Sequence, residues 1–363
     1  MKTIFRSVAM LWGLMLGLGL VSCVRNLSRQ ESANCYIVSK SGTYKFKIVA
    51  GNSSIPVGEV ASCEVLWESF GTDVTPHVGD LIKEVSYDNG YITFTTAEEL
   101  REGNAVIAAK DIFGKILWSW HIWLTDEPQG QEYFNDAGTM MDRNLGATSA
   151  TPGDVGALGL FYQWGRKDPF LGSSSISSNT MAKSTITWPS AVSLDSSTGT
   201  ISYATAHPTT FITYNSSNGD WYYTGSSSTD NSRWTTSDKD KSIYDPCPSG
   251  WRVPDGGGAN GVWSKALEGT LGFYDESLYN SINKGMNFSG KFGSASTIWY
   301  PASGFRIGSG GSLSNVGGGH YWSASPCIFN AFCLYLRSSG YVGSPSNSSR
   351  AFGFSVRCLQ ESK

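Results

Sequence analysis

The residue of this chain best placed for covalent chemistry is Cys23. It follows Leu20-Val21-Ser22 at the end of the apolar run Val8–Val21, behind the basic residues Lys2 and Arg6. A basic start, an apolar middle and small residues before a cysteine form the order of a bacterial lipoprotein signal peptide. In that reading residues 1–22 are removed, the Cys23 thiol carries a diacylglyceryl group, and residues 23–34 are a polar tether. The apolar run is too short for a spanning helix, which needs about 20 residues. An ordinary cleaved signal with an unrelated cysteine is the alternative. The expected location is the outer membrane, lipid-anchored at the cell surface, with the membrane touched through the anchor alone.

Other candidate chemistry is weaker. Gly256-Gly257-Gly258-Ala259-Asn260-Gly261 has the spacing of a dinucleotide-binding loop, and Asp275 follows at a fitting distance. Such a loop must leave a buried strand of a βαβ unit. Here Pro246, Pro248 and Pro254 precede it, and a turn into a helix is the expected structure. No GxSxG, HExxH or EF-hand loop occurs. Asp142-Arg143 and Arg166-Lys167-Asp168 set opposite charges side by side, more often a structural pairing than acid–base machinery. The four histidines are scattered and there is no CxxC, so neither a metal nor a cofactor is expected, nor catalysis.

Composition narrows the partners. Formal charge is −3, and removal of residues 1–22 takes away two basic residues and no acidic one, leaving −5. There is no basic tract, so nucleic acid is excluded as a partner class. Only 16% of residues are charged while 42 are Gly and 13 are Trp, which fits a folded chain of short strands and tight turns. Six cysteines besides Cys23 lie in a compartment that permits disulfides: Cys35, Cys63, Cys247, Cys327, Cys333 and Cys358.

These residues must be held by a mostly β framework. Strands are expected at Thr43–Val49, Val60–Trp67, Tyr91–Thr95, Ala105–Lys110 and Ile116–Leu124, with a hairpin turn at Asp88-Asn89-Gly90. They make residues 35–126 an all-β, immunoglobulin-like sandwich. Trp118 and Trp120 share one face of the last strand, which turns His121 to the other as a surface or hydrogen-bonded residue. A boundary is expected at Asp126–Gly130. Beyond it, Asp154–Trp164 has helical spacing behind a cap-like Thr151-Pro152-Gly153-Asp154, and a second helix is expected over Val262–Leu267. Residues 172–240 read as ordered loops, because aromatic residues punctuate a Ser/Thr/Asn-rich text. Cys247 and Cys358 are either two buried thiols or one bridge across a separation of 111 residues, which stabilises by about 4–5 kcal/mol in the chain-entropy model.

Five segments carry a family resemblance. They are Met141-Asp142-Arg143-Asn144-Leu145-Gly146-Ala147, Tyr162-Gln163-Trp164-Gly165-Arg166-Lys167-Asp168-Pro169-Phe170, Asp245-Pro246-Cys247-Pro248-Ser249-Gly250-Trp251-Arg252-Val253-Pro254, Tyr321-Trp322-Ser323 and Phe354-Ser355-Val356-Arg357-Cys358. Together they resemble the Fibrobacter succinogenes major paralogous domain, a family of bacterial surface domains common in lipoproteins of gut Bacteroidetes. The resemblance implies an α+β, C-type-lectin-like domain over residues 131–361, surface display, and fimbrial or adhesive roles without catalysis. It also favours the Cys247–Cys358 bridge. Lectin calcium motifs are absent.

Residues 323–355 contain no Lys, Glu, Gln, Met or Trp, and every type present can arise by changing the two adenines of an Asn codon. Retroelement-driven diversification would leave this record, and so would a Gly/Ser-rich run of strands and turns. The expected contact residues in this window are Cys327, Ile328, Phe329, Asn330, Phe332, Tyr335, Arg337, Tyr341, Asn347 and Arg350, with Cys327 and Cys333 as a second candidate bridge. The function expected is recognition of an extracellular glycan or protein ligand by an anchored adhesin. One alternative is a pilus-tip subunit that meets other pilus subunits, with Arg25 or Arg29 as a protease site. A further alternative is a surface carbohydrate-active hydrolase.

Overall fold

A computed structural model describes residues 24–27, 32–214, 219–225, 230–235 and 240–362. Cys23 and Arg29 lie outside the described residues. Among those described, no helix is long and apolar enough to cross a membrane.

Residues 35–124, together with Arg25–Asn26, form two four-stranded sheets that face each other. One runs Arg25–Asn26, Thr43–Lys47, Tyr91–Thr96, Ile82–Asp88; the other runs Cys35–Val38, Ile116–Leu124, Gly103–Lys110, Ser62–Ser69. Alternation decides what lies between them: Tyr44, Phe46, Ile92 and Phe94 from one sheet meet Tyr36, Ile107, Trp118, Trp120 and Ile122 from the other. The Asn89-Gly90 turn forms as expected, with both residues at positive φ and Asp88 opposite Tyr91, the type I′ pattern.

Residues 24–34 are not a loose tether throughout. Arg25–Asn26 pairs in parallel with Thr43–Lys47, Leu27 packs on the sandwich core, and Ala33 and Asn34 are buried. Arg25 donates to the Ser41 carbonyl and the Tyr44 hydroxyl, so this expected protease site is pinned to the sandwich.

The second half is also mostly β. Gly130–Tyr133 pairs with Gly138–Met141, which is joined by the terminal strand Leu359–Gln360 and then Trp251–Arg252. A larger sheet runs Phe273–Tyr274, Tyr341–Ser349, Asn330–Leu336, Gly319–Cys327, Gly353–Ser355, Phe305–Arg306, Leu313–Ser314, and Phe161–Gln163 pairs with Gly353–Ser355. Among the described residues the α-helices are Ile201–Ala206 and Val262–Ala266, the latter close to its expected place. The Cys247–Cys358 disulfide is present.

The helix expected over Asp154–Trp164 does not form. Asp154 does cap a turn, accepting from Gly156 N, but only a 3-10 turn at Val155–Ala157 follows. Gly159 then takes φ +72°, where a Cβ would lie 2.9 Å from both Asn144 Cβ and the Leu145 carbonyl. Residues 160–164 are buried on every side, which explains an apolar text without helical geometry. Close packing also explains the glycine-rich loop. A Cβ on Gly256 would sit 2.3 Å from Ser323 Cβ, and the segment is a turn into Val262–Ala266, as expected.

The outer face of the second sandwich sheet does not meet water. Cys35, Trp67, Val106 and Trp123 join Leu145, Leu160, Tyr162, Trp164, Trp322 and the disulfide sulfurs in one core. Trp123 donates to the Ala147 carbonyl at 2.9 Å, and Asn104 to the Gly146 carbonyl at 2.9 Å. His121 is buried and contacts Asn104 Oδ1 at 2.8 Å, and burial lowers its pKa to about 3, keeping it neutral. Lys167 reaches both the backbone and side-chain oxygens of Ser119, which donates to Asp168 at 2.6 Å.

A buried indole removes about 150–250 Å² from water, so Trp67 and Trp123 each contribute several kcal/mol to holding the halves together. Trp123→Ala is expected to cost about 3–5 kcal/mol. Urea unfolding followed by fluorescence and by far-ultraviolet circular dichroism should shift as one coincident transition. Two separated transitions would contradict a shared core.

Candidate ligand-binding surface

The antiparallel strands Gly319–Cys327, Asn330–Leu336 and Tyr341–Ser349 carry six of the ten expected contact residues, the turns next to them carry Ile328, Phe329, Arg337 and Arg350, and the registry sorts them. Cys327 lies opposite Asn330, which leaves Ile328-Phe329 as a two-residue turn. Ile328 is 78% exposed and Phe329 39%. Ile328 has φ 51°, a region β-branched residues avoid, at a typical cost of about 1–3 kcal/mol.

Something must hold that turn, and Arg350 does. The expectation that Arg350 faces a ligand is corrected by its position: it is fully buried beneath the tip. Its Nε donates to the Asn330 carbonyl at 3.0 Å and its Nη2 to the Ile328 carbonyl at 3.1 Å. It further donates to the Asp230 carbonyl and to Asn231 Oδ1, and its guanidinium lies 4.3 Å from the Trp164 ring centroid. Burial, with help from the nearby Arg233, lowers its pKa to about 10, so it stays charged at neutral pH. Asp220 supplies the counter-charge. Its carboxylate takes a two-pronged pairing from Arg233, at 2.5 and 3.1 Å, and lies 3.6 Å from Arg350.

The Trp164 indole donates to the Ser323 carbonyl, Trp221 to the Trp164 carbonyl, and Trp322 to the Tyr162 carbonyl. The motif around Trp164 is thus a frame beneath the hairpin. Its charges are spent internally as well: Arg166 donates to Gln163 Oε1 and the Thr210 carbonyl, and Lys167 pairs with Asp168. Arg143 pairs with Asp142 and Asp126, and Arg357 donates to Asn144 and the Trp299 carbonyl.

Around the tip, Phe332 stands opposite Asn347, and Asn330 donates to Asn347 Oδ1 at 2.8 Å. Cys327, Ile328, Phe329, Asn330, Phe332 and Asn347 therefore gather at one end of the sheet. Tyr335, Arg337 and Tyr341 lie at the other, beyond a register shift between Cys333 and Tyr335. There Arg337 sits 4.9 Å from the Tyr335 ring centroid and 5.6 Å from that of Tyr341. Within 323–355, Ala324, Ala331, Leu334, Leu336, Val342 and Ala351 are core residues, so freedom to vary is confined to the exposed ends.

Cys327 and Cys333 are not bonded to each other. Cys327 pairs in register with Asn330 and Cys333 with Trp322, which places the thiols on different rungs. Burial pushes the Cys333 thiol up to about 12 and Cys63 up to about 11, and raises Cys35 further. Among the described residues, no three His, Cys, Asp or Glu side chains gather as a metal site. Sequence reasoning missed Asp220 and Arg233, which lie in Ser/Thr/Asn-rich text with no periodicity.

No family model, curated protein or solved structure matches this chain.

Native-state alkylation should modify half-buried Cys63 and Cys327 but leave Cys35 and Cys333 intact. Denaturation without reductant should expose all four, and Cys247 and Cys358 only after reduction. Mass mapping that finds Cys327 protected together with Cys333 would contradict this arrangement.

Proposed function

We propose that this chain is a lipid-anchored surface protein that binds an extracellular glycan or protein through the tip at Cys327–Asn330, with Phe332 and Asn347 beside it. The observation that carries this reading is the pairing of exposure with rigidity. An apolar turn, Ile328-Phe329, is displayed in a strained conformation, and a buried arginine is committed to its carbonyls. Strain held by surrounding structure is characteristic of functional segments. Preorganised aromatic anchors bind without a large ordering cost.

The second half is read as a C-type-lectin-like domain of the major paralogous family. Support comes from the terminal strand returning to the first hairpin, and from the disulfide that ties Cys247 to Cys358. Recognition without chemistry is the function in this reading. The charged pairs that would have to act as catalysts are engaged in structural bonds instead. In the same reading, a lipid on Cys23 tethers the molecule to the outer membrane.

The test combines a glycan array with a panel of immobilised extracellular matrix proteins, probed with wild type and Ile328→Ser/Phe329→Ser. The variant should lose at least tenfold in affinity for the bound member while its melting temperature stays unchanged. Equal binding by a folded variant would refute the tip. In cells, Cys23→Ser should abolish palmitate labelling and release the protein from the membrane fraction; persistent labelling would refute the anchor.

A further inference from the structure

At the far end of the same sheet from the tip lies a groove of about 410 Å³. That is within the size range of small-ligand sites, about 300–1,000 Å³. Four separate segments build it: the strand Asn330–Leu336 and the turn after it, which bring Tyr335 and Arg337; the turn before Gly285–Asn287, which brings Lys284, with Tyr279 beside it; the loop at Asn315; and Ile176-Ser177. Lys284 and Asn315 both have positive φ, at 52° and 55°.

The charge in the groove is one-sided. Arg337 and Lys284 line it, and no carboxylate does. Among the described residues, neither cation forms a salt bridge. Asp275 and Glu276 pack beside Gly340 at the end of the Arg337 turn, yet they are outside the lining, and Asp275 is paired with Lys291 at 3.3 Å. In a chain with more acidic than basic residues, two cations sharing one acid-free groove form a local anion site.

The Arg337 side chain is also prepared for use. It stacks over Tyr335 and Tyr341, and its Nε donates to the Tyr335 hydroxyl at 2.5 Å, which leaves its terminal nitrogens to a ligand. A guanidinium presents parallel donors that match a carboxylate or sulfate, whereas an ammonium acts as a point charge. His320, stacked on Tyr335 at 4.5 Å, is held neutral by burial and adds rigidity rather than charge. The remaining lining combines serine hydroxyls, the Asn315 amide and glycine backbone with tyrosine rings and the apolar Ile176 and Val316: groups suited to the hydroxyls and apolar ring faces of a pyranose.

We infer that this groove binds an anionic saccharide, the Arg337 and Lys284 side chains holding its carboxylate or sulfate group and Tyr335 and Tyr279 flanking the sugar ring. This site is separate from the hairpin tip, and neither depends on the other. A nucleic acid is disfavoured because two isolated cations do not make the extended basic stripe that a phosphate backbone requires.

Calorimetric titration of the full chain in detergent tests this with three probes of equal length: an oligogalacturonate, a chondroitin sulfate oligosaccharide and neutral maltotetraose. At least one acidic probe should bind tenfold or more tightly than the neutral one; binding of the oligogalacturonate shows that a carboxylate suffices, and binding of chondroitin sulfate alone, which carries both groups, points to its sulfate. Arg337→Ala and Lys284→Ala should each weaken that probe at least fivefold at unchanged melting temperature, and added salt should weaken it in wild type. Phe329→Ala should leave it unaffected, which separates failure of the groove from failure of the tip. Equal affinity for neutral and acidic probes, no binding of either acidic probe, or full binding by the Arg337→Ala/Lys284→Ala double variant would overturn the assignment.

Discussion

A carboxylate removed from water between two guanidiniums governs the second half of this molecule. Asp220, Arg233 and Arg350 are all fully buried. Ions in such a setting persist only when paired and fully hydrogen-bonded. Arg233 takes the carboxylate two-pronged, and Arg350 takes the remaining contact while its other donors seek carbonyls. The carbonyls within reach belong to residues 230, 328 and 330, so the loop at 230–235 and the hairpin tip are drawn to one point. Trp164 lies under both guanidiniums and adds cation–π attraction in a low-dielectric site. An exposed apolar turn at strained φ is the visible outcome of that buried demand.

The sandwich meets this framework through tryptophan and hydrogen bonds rather than through a linker. Its strand Gly103–Lys110 is buried on both faces, from Gly103 to Ala109. One face packs on the opposite sheet, and the other contributes Val106 to the core that contains Trp164, Trp322 and the disulfide. A pure spacer has no need of a second buried face. Here the sandwich supports the domain that carries the proposed recognition surfaces, and the polar pairs Ser119–Asp168 and Asn104–Gly146 fix the relative placement of the halves.

Much of the sandwich was legible in the sequence because local rules and burial agreed. Alternation in Thr43–Lys47 and Tyr91–Thr96, and an Asn-Gly turn, each point to one geometry. The cysteine bridge was legible from the resemblance. The helix expected at Asp154–Trp164 failed because an apolar run buried on all sides has no period to distinguish helix from strand. The glycine at 159 was the signal against it. Arg350 was misplaced because exposure cannot be read from residue type: an arginine in polar text reads as surface, and its carboxylate partner Asp220 lies 130 residues earlier. The segment around Trp164 drew notice only through a resemblance, and its role as a frame rests on indole-to-carbonyl bonds that sequence does not display.

The central claim is that buried Arg350 holds the hairpin tip in place. Urea unfolding of Arg350→Met, combined with amide hydrogen exchange across residues 326–333, tests it most directly. Loss of one member of a buried charged network should cost about 3–5 kcal/mol, with exchange at the hairpin rising well above that of the Thr43–Lys47 strand. Stability within about 0.5 kcal/mol of wild type, together with unchanged exchange at the hairpin, would contradict the account.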